Sequence, residues 1–413
     1  MGLATARQTF THPLPTRNLK YELRVLEGLT LIIMSGKLRV AIVTESFLPQ
    51  VNGVTNSVLR ILESFSREGH QAMVIAPESA DAPNEYAGFR VKRVPSISVK
   101  GLLPVGMPQK TIKHLIDGFE PDVIHLASPF FLGKYVAKIA QDLEIPTLSI
   151  YQTDVAGFAR HYGLTIAHGS LKKWVANIHS QTDRTLAPSS WSCNDLRDSG
   201  VPNVHLWQRG IDSVKFDPQN RDIELRTSLL GMRPDRKIVG YVGRLANEKR
   251  IDELAILDSR DDLQLVIIGD GPAKNRLKNV LPNAIFVGYK SGEDLAKYYA
   301  SLDIFVHTGK HETFCQSIQE ALASGVPVIA PNSGGPVDLV KHGWTGYLID
   351  TSDSHELNHA VDRVLRSPEL LAMTKRARES VIHRTWEGVN SQLVSHYFEL
   401  IDAKAKRSGE LVA

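Results

Sequence analysis

Cysteine is almost missing from this chain of 413 residues: Cys193 and Cys315 are the only two. That excludes a disulfide framework and a Cys-based zinc site, and it suits a reducing cytoplasm. No stretch reaches 18 apolar residues, and the most apolar run near the start, 29–34, is far too short to span a bilayer. Charge of one sign is scarce as well. With 48 basic and 45 acidic residues the net charge is +3, with no basic block of the kind a nucleic-acid binder carries. There is no Asp-x-Asp, so nothing in the sequence requires a divalent metal, and no Gly-x-Gly-x-x-Gly follows a strand, which argues against a dinucleotide oxidoreductase. What remains, 42% apolar and 23% charged residues, is the balance of an ordinary globular enzyme, long enough for two or three domains.

From residue 38 onward, short apolar runs alternate with longer amphipathic ones, the pattern of parallel α/β architecture. Strands are predicted at 38–44, 72–76, 89–94, 123–125, 147–151 and 184–188, with a helix over 55–68 closed by Gly69. A polar connector at 207–217 precedes a second set at 238–242, 264–268, 284–287, 304–307 and 328–330, with helices at 251–258, 274–280 and 292–300. The tail, 385–406, reads as one amphipathic helix with Trp386, Val389, Leu393, Tyr397 and Leu400 at helical spacing. Residues 1–33 show no stable period and are expected to be a disordered upstream extension, with Met34 as the natural start.

Two open parallel sheets in tandem bind ligands beyond the carboxyl ends of their strands, so the site is expected in a cleft between domains. The run 238–242 leads into Gly243-Arg244-Leu-Ala-Asn-Glu-Lys249, which sets two cations five residues apart in the turn after a strand. Such a turn can put a forked guanidinium and a point charge on one diphosphate; a solvated loop is the alternative. Next, His311-Glu312-Thr-Phe314-Cys315-Gln-Ser-Ile-Gln-Glu320 follows a strand and opens a helix, with Glu320 expected two turns inside it. The amides of 314–316 would form an anion site, Glu320 could take the vicinal hydroxyls of a ribose, and Glu312 would face the group beyond the phosphates. A first-turn acid and a solvated acid are the bland readings of the two glutamates. Gly334 and Gly335 sit after another strand end, Gly53 at the first strand-to-helix turn, and Asp154 after 147–151, where an Asp is as often a helix N-cap.

Residues 38–54 (Leu-Arg-Val-Ala-Ile-Val-Thr-Glu-Ser-Phe-Leu-Pro-Gln-Val-Asn-Gly-Val), Gly243-Arg244 with Lys249, Gly269-Asp-Gly-Pro272, Glu312-x7-Glu320 and Asn332-Ser-Gly-Gly-Pro336 together resemble the retaining GT-B glycosyltransferases of family 4, over about 34–410. Residues 44–55, 125–130 and Tyr151-Gln-Thr-Asp154 look most like actinobacterial mannosyltransferases that use GDP-mannose to mannosylate glucuronosyl diacylglycerol. The resemblance implies a donor diphosphate held by Arg244 and Lys249 over Gly53 and Gly243. It also implies a ribose on Glu320, and donor-sugar hydroxyls on Glu312 and the amides of Phe314 and Cys315. Many relatives carry a histidine near the donor sugar where this chain has Ala127; His125 lies two residues earlier, and Asp154 becomes the best polar contact from the first domain.

The expected fold is therefore α/β, GT-B, with two doubly wound Rossmann-like domains. The expected boundaries are an acceptor domain at 34–206, a nucleotide-sugar domain at 207–384, and a C-terminal helix at 385–413 returning to the first. The expected reaction moves mannose from GDP-mannose to a glycolipid such as glucuronosyl diacylglycerol, in lipomannan or glycolipid biosynthesis, with no metal or other cofactor. Arg244, Lys249, Glu312 and Asp154 are its candidate catalytic residues. Partners would be the nucleotide-sugar donor and a lipid-linked acceptor, with no nucleic acid and no signal for oligomeric state. Apolar residues beside cations at 99–107 and 171–175 suggest peripheral contact with the inner face of the cytoplasmic membrane. The alternatives are a UDP-sugar-dependent transferase, a sugar-nucleotide 2-epimerase of the same fold and a non-enzymatic sugar-binding module.

Overall fold

A computed structural model of the chain describes residues 9–10, 20–26, 29–97, 105–127, 129–152 and 168–407. The chain divides into two compact units. One comprises residues 1–150, 177–185 and 390–413; the other comprises 151–176 and 186–389.

The first unit is built on parallel strands in the order Thr147–Ile150, Val123–Ala127, Arg39–Thr44, Gln71–Pro77 and Phe89–Val94, with Glu85–Tyr86 antiparallel at the edge. Val40 pairs with Val123 and Thr44 with Ala127. The central strands are buried on both faces, which is why they read as continuous apolar runs and not as alternation. Helix Gly53–Glu68 starts where the Asn52 side chain accepts from the amides of Val54 and Thr55, and it ends at left-handed Gly69. From Asn390 on, the last helix, Trp386–Arg407, belongs to this unit: Asn390 donates to the Arg60 carbonyl at 3.0 Å and the Tyr397 hydroxyl bonds to His125 Nδ1. His125 is thereby fully buried and held neutral, its pKa pushed down to about 3 by burial.

The second unit carries a six-stranded, all-parallel sheet in the order Ile285–Gly288, Leu263–Ile268, Lys237–Val242, Ile304–Val306, Val328–Pro331, Gly346–Ile349. Apolar clusters cover both of its faces, one around Phe305, Ile318 and Leu322, the other around Leu265, Ile267 and Val361. Five of the six strands match the sequence reading; Gly346–Ile349 is additional. The expected helix at 251–258 is instead a 3-10 turn, Ile251–Leu254, followed by a short α-helix, Ala255–Asp258.

The described residues among 1–33 also depart from the expected disorder. Strands Thr9–Phe10, Lys20–Leu26 and Leu29–Ser35 form an antiparallel sheet in which Lys20 faces Ser35 and Leu26 faces Leu29. The physical reason is legible afterwards: Lys-Tyr-Glu-Leu-Arg-Val alternates with a period of two, and only Glu27-Gly28 separates it from the next strand, the spacing of a tight hairpin. Among the described residues no helix is long and apolar enough to cross a membrane.

Candidate functional site

The residues singled out around 243–320 gather at the carboxyl ends of strands in the second unit. Strand Lys237–Val242 ends at Gly243, which packs so close to Tyr241 that a Cβ there would lie 2.8 Å from the Tyr241 hydroxyl oxygen. Glycine lets the turn pass, and Arg244 emerges half-exposed, its guanidinium on the carboxylate of buried Glu248. A 3-10 turn, Asn247–Lys249, then carries Lys249 inward, where Thr308 donates to its carbonyl at 2.6 Å and its ammonium bonds to Glu312 Oε1.

Glu312 is the centre of the arrangement. Its Oε1 also accepts from Nε2 of His307 at 3.1 Å, and the His307 ring stacks on Tyr241, with centroids 6.1 Å apart and planes 12° from parallel. Burial alone would protonate Glu312, but Lys249 and His307 outweigh it and hold the carboxyl well below its usual range. Lys249 is lifted in turn: burial opposes its charge and Glu312 more than compensates. For His307 burial again favours the neutral ring, yet Cys315 and Glu312 together raise it to about 9. The result is a carboxylate kept anionic between two cations in a nearly dry setting.

The chain that follows is positioned by backbone. The Gly335 amide donates to the Glu312 carbonyl at 2.7 Å, and a Cβ on Gly335 would sit 2.4 Å from the Phe314 Cα. Only a glycine permits that approach. Cys315 caps helix Gln316–Ala323 in the left-handed region, φ 81° and ψ 77°, with no side-chain capping bond. The helix starts later than its sequence suggests, so Glu320 lies one turn inside it and not two. Its Oε2 accepts from the Tyr299 hydroxyl at 3.0 Å, and burial pushes its carboxyl up to about 7 against that bond and the charge of Lys215.

Gly243, Arg244, Lys249, Glu312, Phe314, Cys315 and Glu320 thus share one unit. Gly53 is the first residue of its helix in the other unit. Asp154 lies outside the described residues, as does 99–104 of the apolar stretch 99–107. Trp174 is half-buried against the cluster around Tyr151, Val175 and Cys193, and Lys172 pairs with Asp195 at 2.5 Å.

Three contributors escaped sequence reasoning. His307 was placed at the end of a strand without a role; a histidine closing an apolar strand five residues before Glu312 was the available signal. Tyr241 reads in the sequence only as a strand residue. Arg209 lay in what looked like a connector, yet it is buried, donates to Gln152 Oε1 at 2.8 Å and feels the charge of Glu312, while burial lowers its pKa to about 10. Gln319 holds the Arg209 carbonyl at 3.0 Å.

Residues 228–380 match the family described as glycosyl transferases group 1, and residues 51–215 match glycosyltransferase family 4. A GDP-mannose-dependent alpha-mannosyltransferase of Corynebacterium glutamicum is 48% identical over 370 residues, 88% of this chain and 89% of that protein. Its namesake in Mycolicibacterium smegmatis is 47% identical over 380 residues, 90% of this chain and all of the relative. Among solved structures, a sucrose-phosphate synthase from Thermosynechococcus elongatus superposes with a TM-score of 0.74 over 89% of this chain and 100% of that one, at 21% identity, which speaks to fold. On these matches the chain belongs to family 4 of the glycosyltransferases and is an enzyme of the two-domain GT-B type.

Proposed function

We propose that the enzyme transfers mannose from GDP-mannose, with retention, to a lipid-linked sugar acceptor such as glucuronosyl diacylglycerol. The observation that carries the reading is the Lys249–Glu312–His307 constellation, with Arg244 in the same turn and Glu320 one turn down the adjoining helix. The names of the mannosyltransferases at 46–48% identity support the donor.

In this mechanism Arg244 and Lys249 take the diphosphate, aided by the open N-terminus of helix Gln316–Ala323, and Glu320 accepts from the ribose hydroxyls. Glu312, released from Lys249 as the phosphates draw that ammonium away, accepts from hydroxyls of the sugar. As the bond from C1 to the phosphate oxygen breaks, the growing negative charge meets fixed cations and amides, which is where such groups lower a barrier most. The acceptor oxygen bonds to C1 from the same face and its proton passes to the departing phosphate, so no carboxylate nucleophile and no metal is needed.

The acceptor is placed at the inner face of the cytoplasmic membrane. Exposed Val51, Ile97, Met107 and Phe131 in the first unit support a lipid-facing surface. The test is incubation of the protein with radiolabelled GDP-mannose, UDP-glucose or ADP-glucose and a lipid extract, followed by separation of lipid products. Label is expected in glycolipid from GDP-mannose alone; label from UDP-glucose, or mannose epimerised without acceptor, overturns the assignment. Sedimentation with anionic vesicles tests the membrane part, and failure to co-sediment overturns it.

A further inference from the structure

Besides its part in donor binding, the constellation has the composition of a metal site. One ligand atom each from His307, Glu312 and Cys315 lies within 4.8 Å of the other two, and all three side chains are buried or nearly so. Imidazole, carboxylate and thiol within that reach are the set a thiophilic divalent ion takes in a tetrahedral site, leaving a fourth position open. Two cysteines far apart in sequence exclude a Cys-rich zinc knot, but the fold assembles a mixed set that spacing does not reveal.

Two further observations point the same way. His307 faces the set: its Nε2 lies 3.1 Å from Glu312 Oε1, and its buried Nδ1 has no hydrogen-bond partner among the described residues. Cys315 holds a left-handed conformation that glycine would adopt without penalty, so this chain keeps a thiol beside Glu312 at a conformational cost. Its Sγ is 3.3 Å from the Ser317 hydroxyl and makes no helix cap.

We propose that His307, Glu312 and Cys315 bind a thiophilic divalent cation of the zinc class, releasing one proton from the imidazolium and one from the thiol to solvent, and that the ion shuts the donor site. A dication on Glu312 repels the Lys249 ammonium now bonded to that carboxylate, so Lys249 must swing away when the metal binds. Metal and donor then exclude one another, because the Glu312 carboxylate that would receive the donor sugar is taken by the ion. The site is inhibitory and separate from any need of the transfer reaction for metal. Binding of the ion does not depend on which sugar nucleotide the enzyme uses.

Cobalt(II), a spectroscopic substitute for zinc, tests this on the untagged full chain without nucleotide. Titration should give a thiolate-to-cobalt charge-transfer absorption in the near ultraviolet that saturates at one ion per chain and is displaced by zinc. Cys315→Gly, which suits the left-handed backbone and should fold, is expected to abolish the band and weaken zinc binding at least ten-fold. His307→Asn should weaken binding similarly, and Cys193→Ser, which removes the other thiol, should change nothing. Zinc should inhibit transfer by the wild type in a metal-buffered assay and leave Cys315→Gly at least ten-fold less sensitive. Absence of the band in the wild type, its persistence in Cys315→Gly, its loss in Cys193→Ser, or equal zinc sensitivity of the Cys315→Gly enzyme overturns the proposal.

Discussion

Helix Gly53–Glu68 in the first unit and helix Gln316–Ala323 in the second both begin shortly after a strand, yet only the first is closed by a side chain. Asn52 takes the amides of Val54 and Thr55. Nearby, Glu45 accepts from the amides of Phe130 and Gly133, both at 2.9 Å, at the start of helix Phe131–Asp142. In the second unit Cys315 makes no side-chain cap to helix Gln316–Ala323. These two starts in the first unit are satisfied by side chains, whereas the one at Cys315 in the second unit is not and lies in the same turn region as Lys249 and Glu312. An orphan helix start favours a bound anion, so on the proposed mechanism the same backbone feature is structural in one place and takes the donor in the other.

The sharpest way to break this comparison is Lys249→Ala. Turnover should fall about 10²–10³-fold, the scale expected when a charge acting on a leaving group is removed. The melting temperature should fall as well, because Glu312 is left buried with its ammonium gone, a change of a kind that costs about 3–5 kcal/mol. Arg244→Ala should approach the same loss of turnover with a smaller fall in melting temperature, since the guanidinium is half-exposed and water can reach the Glu248 carboxylate through the space it leaves. Equal stability losses in the two variants, read by calorimetry beside transfer rates, would remove the distinction drawn between them.

Next in size is a pH effect shared by the two units. Glu45 and Glu320 are both raised to about 7, chiefly by burial. The folded protein then holds each proton up to about pH 7, while the unfolded chain releases it near 4.5. Each group therefore contributes stability that is complete below pH 4.5 and lost as pH rises through 7. Glu45→Gln and Glu320→Gln should both gain stability over wild type at pH 8 relative to pH 5, measured by urea unfolding. Only Glu320→Gln should flatten the pH dependence of donor affinity, which in the wild type should improve as pH passes 7. A flat wild-type profile would detach Glu320 from the ribose.

The smallest effects separate the two caps. Asn52→Ala should destabilise by about 1 kcal/mol, whereas Cys315→Gly should be neutral or stabilise by up to about 1 kcal/mol. A stability loss in Cys315→Gly as large as that in Asn52→Ala would mean the thiol supports the fold after all.

Much of this was legible in the sequence because parallel strands buried on both faces announce themselves as apolar runs, and because Arg244, Lys249, Glu312 and Glu320 stand at fixed offsets from such runs. What could not be read was set by distant partners. His307 takes its charge from Glu312 and Cys315, and Arg209 is tied to Gln152, 57 residues away. The sheet at 9–35 was missed because charged residues on alternate positions looked like absence of order. The left-handed turn at Cys315 was invisible because thiols rarely occupy it, and that turn is why the helix begins late and Glu320 sits nearer its start than expected.

The last helix has a consequence for how the protein is made. The first unit takes its strands from the opening 150 residues, but its core includes Tyr397, bonded to His125 across 272 positions, and Asn390, bonded to the Arg60 carbonyl across 330. At about 5–20 residues per second of synthesis, the segment that completes this unit leaves the ribosome on the order of tens of seconds after the strands it covers. For that interval the second unit can finish folding from its own contiguous sheet while the first must wait, with the buried side of His125 still open, for residues 390–407 to emerge.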